Sequence, residues 1–139
     1  MIKKFDQFVN EDYVDKRTDT KSEEIIQKAV DKIRSLGYKN PFNNSTIIND
    51  RVTVEVSNFD GYLWLNSIMT LERGKGYASE VLQKICDIAD EFQVTLVLTP
   101  VPFGKDKKEI LTTSQLIKWY KKYGFVKYHI EDMKRQPKS

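Results

Sequence analysis

The run Ile68-Met69-Thr70-Leu71-Glu72-Arg73-Gly74-Lys75-Gly76-Tyr77-Ala78 decides how this chain is built. Before it, Tyr62 to Leu71 are apolar on both faces except at Asn66-Ser67, which predicts a central strand. After it, Ala78, Val81, Leu82, Ile85, Ile88, Ala89 and Phe92 recur at helical spacing, which predicts a helix packed on a sheet. Gly74 and Gly76 strip side chains from the turn between them. Main-chain N–H groups can then converge on one point, and the new helix adds the positive end of its dipole there. Arg73 and Lys75 add cationic side chains beside those amides, so the turn suits a phosphate or a carboxylate. The competing reading is a plain strand-to-helix turn flanked by solvated basic residues.

Two phosphate-binding turns are excluded by spacing. A dinucleotide fingerprint needs a third glycine near Ser79 and an acidic residue at the end of the next strand, and neither is present. A P-loop needs Gly-Lys-Ser/Thr, whereas Gly76 is followed by Tyr77-Ala78. Val94 to Thr99 is a continuous apolar run and reads as a buried strand. Strand, loop, helix and strand thus make a β-α-β unit with two parallel strands. Upstream, Val52, Val54 and Val56 alternate with Thr53, Glu55 and Ser57, the pattern of a strand with one buried face. Asn58-Phe59-Asp60-Gly61 turns this strand, residues 51–57, back into the next as an antiparallel hairpin.

Farther out, Ile25, Ile26, Ala29, Val30, Ile33 and Leu36 form one stripe of a helix from Ser22 to Leu36, with Thr20 and Glu23 as a capping box and Gly37 as its stop. Residues 38–44 read as loop, and Thr46-Ile47-Ile48 as a short strand. Residues 100–109 form a long connection placed either over a functional site or in solvent. A last helix starts at Thr112 or Thr113, capped by Thr112 and Gln115, and ends at Gly124. Residues 125–130 read as a final strand and 133–139 as a polar tail.

At 139 residues the length suits one domain, residues 21–139, preceded by a tail or short helix over residues 1–20 that carries Phe5, Phe8 and Val9. No apolar run reaches the roughly 18 residues of a membrane span, and no secretory segment follows Met1-Ile2-Lys3-Lys4, so a soluble, cytoplasmic protein without a membrane partner is expected. One cysteine and one histidine point to no disulfide and no metal site. The net charge is +3, but residues 102–139 hold ten Lys/Arg against four Asp/Glu. That basic end serves a polyanionic cofactor or a solvated face better than it argues for nucleic acid.

Arg73-Gly74-Lys75-Gly76-Tyr77-Ala78 resembles the acyl-CoA loop of the GNAT superfamily of N-acyltransferases, Arg/Gln-x-x-Gly-x-Gly/Ala. Tyr120-Lys121-Lys122-Tyr123-Gly124-Phe125 resembles that family's second hallmark, Tyr-x-x-x-Gly-Phe, in the right order. The resemblance covers about residues 46–130. It implies an α/β fold whose mixed, mostly antiparallel sheet has a central splayed parallel strand pair and flanking helices. It also implies acetyl-CoA as acyl donor, its diphosphate held at Arg73, Gly74, Lys75, Gly76, Tyr77 and Ala78, and its pantetheine arm against the main chain of Ile68, Met69 and Thr70. The opening Met1 to Glu11 resembles short N-terminal peptides that send proteins into the heads of tailed phages, which implies a bacteriophage protein, in the host cytoplasm or the virion head.

Acyl transfer needs a neutral amine, a site for the developing oxyanion and a proton for the departing thiolate. Tyr120 stands where the family's helix tyrosine stands and is the candidate acid, core packing being its alternative role. No carboxylate lies between Tyr62 and Leu71, so the candidate bases are Glu55 and Asp60, with a water relay an equal alternative. Trp64 and Trp119 read as packing residues, either of which could line a pocket for an apolar acceptor. Two departures from the family pattern are a missing strand before the first helix and Thr113-Ser114 where many members keep an asparagine. The expected function is transfer of acetyl to an amine on a small molecule or protein, by a monomer or homodimer. The alternatives are a non-catalytic CoA-binding module and a basic phage head or DNA-associated protein.

Overall fold

Valines alternating with polar residues at period two, joined through a tight turn to an apolar run, make the hairpin at the centre of the fold. The computed structural model of the protein describes residues 19–70, 76–101 and 112–138. Arg73, Gly74 and Lys75, the N-terminal residues 1–18 and most of the connection after Pro100 lie outside the described residues. Within them, helix α1 spans Glu23–Arg34, followed by strands β1 (Tyr38–Lys39), β2 (Thr46–Ile48), β3 (Val52–Phe59) and β4 (Tyr62–Thr70). Helix α2 (Tyr77–Phe92), strand β5 (Leu96–Leu98), helix α3 (Thr113–Lys121) and strands β6 (Val126–Lys127) and β7 (Met133–Arg135) complete the order. The seven strands form one sheet in the order β1-β2-β3-β4-β5-β7-β6. Every neighbouring pair is antiparallel except β4 and β5, so the expected mixed sheet with one central parallel pair is present.

The hairpin turn is tighter than the four residues expected. Asp60 and Gly61 both have positive φ, 56° and 85°, and Phe59 already pairs with Tyr62, a two-residue turn of the primed type whose twist matches the strands it joins. Four residues farther along, the register slips: Val56 pairs with Leu65 but Glu55 pairs with Ser67, leaving Asn66 as an extra residue in β4. This bulge resolves the apparent two-sided apolarity of β4. Leu63, Leu65 and Ile68 all face the core, because the phase of the alternation shifts at Asn66.

That core lies on one face of the sheet. Ile26, Ala29, Val30 and Ile33 of α1, Val81, Leu82, Ile85, Cys86 and Ala89 of α2, and Tyr120 of α3 pack with Val52, Val54, Val56, Leu96, Leu98, Phe125 and Met133 in a single cluster. The opposite face carries none of the described helices. Its residues, read from the pairing, are Thr53, Glu55, Ser57 and Phe59 of β3, Tyr62, Trp64, Ser67 and Met69 of β4, and Val97 of β5. Asp19 is tied to this face, accepting from the Tyr62 hydroxyl at 2.8 Å and from Lys134 Nζ at 2.6 Å.

Several boundaries differ from the expectations, each for a local reason. The cap of α1 is Ser22, whose hydroxyl accepts from Ile25 N, rather than Thr20. Ile25 is 37% exposed and off the inward stripe. Tyr38-Lys39, expected as loop, pairs with Ile47 and Thr46 as an edge strand. The expected final strand is only Val126-Lys127, and the expected polar tail contains β7, which sits between β5 and β6. There Met133 is 1% and Arg135 2% exposed. Arg135 is burial-compatible because Asp90 of α2 takes its guanidinium in two bonds, 2.9 and 3.1 Å, while its Nε donates to the Tyr123 carbonyl at 2.7 Å.

Burial pushes the Asp90 carboxyl up, but the hydrogen bonds and charge of Arg135, with the Lys138 amide, outweigh it and leave the group below its ordinary value. A carboxylate lowered by folding contributes stability above its unfolded pKa, and that contribution is lost as pH falls through the folded value. Asp90→Ala should therefore cost about 3 kcal/mol in urea unfolding at pH 7, because it strands a buried guanidinium. Lys32→Ala, which breaks the exposed pair with Glu91, should cost under about 1 kcal/mol. Asp90→Asn should also flatten the stability loss that the native protein shows below about pH 4.

Candidate functional site

The site follows from how β4 leaves β5. The two strands pair only at Leu63 with Leu96 and Trp64 with Val97. The bulge at Asn66 comes two residues later, and a bulge bends its strand and sharpens the twist. Beyond Trp64, the β5-side edge of Leu65–Met69 has no strand neighbour among the described residues. The expected parting of the parallel strands is thus built by one inserted residue in one of them.

Of the residues expected to hold the arm, Ile68 sends its side chain into the core, Met69 is 42% exposed on the helix-free face and Thr70 closes the strand opposite Val52. A ligand at this edge would meet main chain rather than the Ile68 side chain. Of the residues expected to hold the diphosphate, Gly76, Tyr77 and Ala78 are described. Gly76 precedes α2 with φ 77° and ψ 8°, and no side chain caps the helix. A Cβ built at Gly76 would meet nothing within 4 Å, so the space around it is open. Glycine is required there by the positive φ, not by crowding.

Arg51 is a residue the sequence did not single out for this end of the sheet. Its guanidinium lies over the ring of Tyr77, 4.5 Å from the centroid, and adds a cation beside the first turn of α2. Its position follows from the register: Val52 pairs with Thr70, so Arg51 precedes β3 where β4 ends. That register can be counted only once the bulge is known.

Helix α3 is fixed against the same turn. Thr112 and Gln115 form the expected capping box, with 3.1 and 2.8 Å bonds, and Trp119 Nε1 donates to the Ser79 hydroxyl at 3.0 Å. Tyr120 packs on Trp119 and Phe125 at ring separations of 4.9 and 5.5 Å. Its residue is 7% exposed, and no described group hydrogen-bonds its hydroxyl. Trp64 Nε1 is the only fully buried side-chain N or O atom without a partner among the described residues, so the Tyr120 hydroxyl keeps access to solvent. Burial pushes the Tyr120 phenol up to about 12, which keeps it protonated at neutral pH. Cys86 is raised by burial to about 11 and is an inert core thiol.

Glu55 faces away from the valines, opposite Ser67 and beside the bulge, and no described cation or donor meets its carboxylate. It therefore stands on the helix-free face, next to where β4 leaves β5. Asp60, the other candidate base, is in the exposed hairpin turn at the far end of β3. Among the described residues no cluster of His, Cys, Asp and Glu is arranged to hold a metal, and no helix is long and apolar enough to cross a membrane.

No protein-family model matches this chain, and no curated protein matches it. Among solved structures it is similar to the crystal structure of anti-CRISPR protein AcrVA5, with a TM-score of 0.50, 15% identity, and coverage of 61% of this chain and 90% of that one. At that identity the likeness is one of fold. The architecture, a mostly antiparallel sheet with one splayed parallel pair, is GNAT-like.

Because the Tyr120 hydroxyl makes no described hydrogen bond, Tyr120→Phe should change unfolding free energy by less than about 0.5 kcal/mol. Tyr120→Ala, which removes the ring from between Trp119 and Phe125, should cost about 3 kcal/mol or more by the same measurement.

Proposed function

We propose that the protein is an N-acyltransferase that moves acetyl from acetyl-CoA to an amine. The observation that carries this reading is the β5-side edge of Leu65–Met69, which has no strand neighbour among the described residues and lies in the strand that runs toward the uncapped N terminus of α2. An extended ligand arm can pair with such an edge as a strand does. An anionic end is stabilised by the helix dipole and by the Arg51 guanidinium. The sequence motifs add Arg73, Gly74 and Lys75 as diphosphate ligands and Tyr120 as the acid, while Glu55, which belongs to neither motif, is the candidate base.

Bound acetyl-CoA would supply a thioester carbonyl for attack by the amine and a thiol as the leaving group. Tyr120, whose phenol carries its proton at neutral pH, is the proton donor for the departing sulfur. Glu55 takes the proton that the attacking nitrogen must lose, directly or through one water. Support for a donor here comes from the β5-side edge of Leu65–Met69, which has no described strand neighbour, and from Gly76, where an added Cβ would meet no described atom within 4 Å.

The anti-CRISPR designation belongs to the structural neighbour, and at 15% identity it does not extend to this chain. A bacteriophage origin rests on the N-terminal peptide alone.

Acetyl-CoA should raise the melting temperature while ATP and NAD at the same concentration do not, because a ligand that binds only the folded state stabilises by mass action. Equal shifts with all three would reduce the site to a general anion site. Tyr120→Phe should lower kcat for thiol release by 10- to 100-fold and leave the acetyl-CoA shift unchanged. Equal turnover in the two proteins would remove Tyr120 from the mechanism.

A further inference from the structure

Trp64 carries an indole N–H that is buried and has no hydrogen-bond partner among the described residues. Indole nitrogen is a donor only, and a buried donor left unmet is rare in a native fold, because it has lost water and gained nothing. Trp119, the other tryptophan, shows the ordinary outcome, its N–H satisfied by Ser79. The difference lies in where Trp64 stands. It occupies the last parallel pair before β4 leaves β5, on the helix-free face, directly across from Ser57. Glu55 is two residues before Ser57 on the same face, and diagonal neighbours on an antiparallel pair stand about 7 Å apart. One face of the hairpin therefore carries a buried donor with no described partner, Trp64 Nε1, and a solvent-accessible carboxylate with none, Glu55, with the exposed Phe59 ring edge-on to Trp64 at 6.5 Å.

A ligand that satisfies both must bring N–H donors and, within a few ångströms of them, an oxygen that accepts. We infer, resting on the acyl-transfer reading above, that Trp64 selects the acceptor: its indole N–H receives the carbonyl oxygen next to the reacting amine, so the preferred acceptor is an α-amino amide, the N terminus of a peptide. The α-amine faces Glu55, its own carbonyl faces Trp64, and Phe59 lies against the first side chain. A polyamine at neutral pH offers donors and no acceptor, so it leaves the indole unmet. A simple alkylamine does the same. An amino sugar offers hydroxyl oxygens but no apolar group for Phe59.

The chain has two tryptophans, so its 15N spectrum has two indole signals, and the one lost in Trp119→Phe leaves the other assigned to Trp64. Phenylalaninamide added with CoA should move the Trp64 indole proton downfield, while phenethylamine, the same molecule without the carboxamide, and spermidine should not. In turnover, Trp64→Phe should lower kcat/KM for phenylalaninamide about tenfold more than for phenethylamine, the worth of one neutral hydrogen bond; comparing the two ratios cancels the difference in amine basicity. If Trp64→Phe does not fold, the indole shift in the native protein still decides. Equal movement with both amines, no movement with either, an amino sugar preferred over phenylalaninamide, or an unchanged ratio of ratios overturns the assignment of Trp64 and leaves acyl transfer standing. Thiol release from no amine at all overturns the acyl-transfer reading, and this inference with it.

Discussion

Between the pairs Val56–Leu65 and Glu55–Ser67, β4 carries one residue more than β3. This extra residue, Asn66, governs what the rest of the molecule can do. Without it, β4 would continue in flat register beside β5, and the pairing that begins at Leu63 and Trp64 would have reason to go on. With it, the strand bends, its twist rises, and β5 is left behind after two pairs. The same residue restores the core phase, so that Leu65 and Ile68 both point at the helices although three positions separate them. Its side chain is held in turn by the Ser57 hydroxyl, at 2.8 Å across the hairpin. The bulge is therefore a feature with support on both strands, not a local fault.

From that point the two ends of the site divide the work. Toward the C-terminal end of β4, the β5-side edge of Leu65–Met69 has no described strand neighbour, α2 begins without a side-chain cap, and Arg51 adds charge. This is an environment for an anion and an extended arm. Around the bulge itself, the helix-free face supplies a carboxylate, an indole N–H and aromatic surface. All three described helices pack on the other side of the sheet. Tyr120 has its ring in the core cluster and its hydroxyl outside any described hydrogen bond.

Much of this was legible from residue order. The valines of β3 fixed the buried face of the hairpin, the helical stripe of α2 fixed its packing, and the apolar run of β5 gave the parallel pair. Position-specific exceptions were not legible, for reasons that are physical. A bulge is a mismatch between two strands, so the Asn66 slip cannot be seen in either strand alone, and Arg51 could not be placed beside Tyr77 without it. β7 reads as a basic tail because the carboxylates that pair with Lys134 and Arg135, Asp19 and Asp90, lie far away in sequence. Two-residue strands such as Tyr38-Lys39 have no periodicity to detect. The unmet indole of Trp64 is likewise a property of its surroundings, and the sequence shows only a tryptophan suited to packing.

A crystal structure of the protein with acetyl-CoA tests the central claim most directly. The account predicts the pantetheine arm alongside Leu65–Met69, on the β5 side of β4, with the diphosphate at the amides that open α2 and the sulfur within reach of the Tyr120 hydroxyl. A complex in which β5 closes against β4 past Trp64, or in which the ligand lies away from that edge, would contradict it.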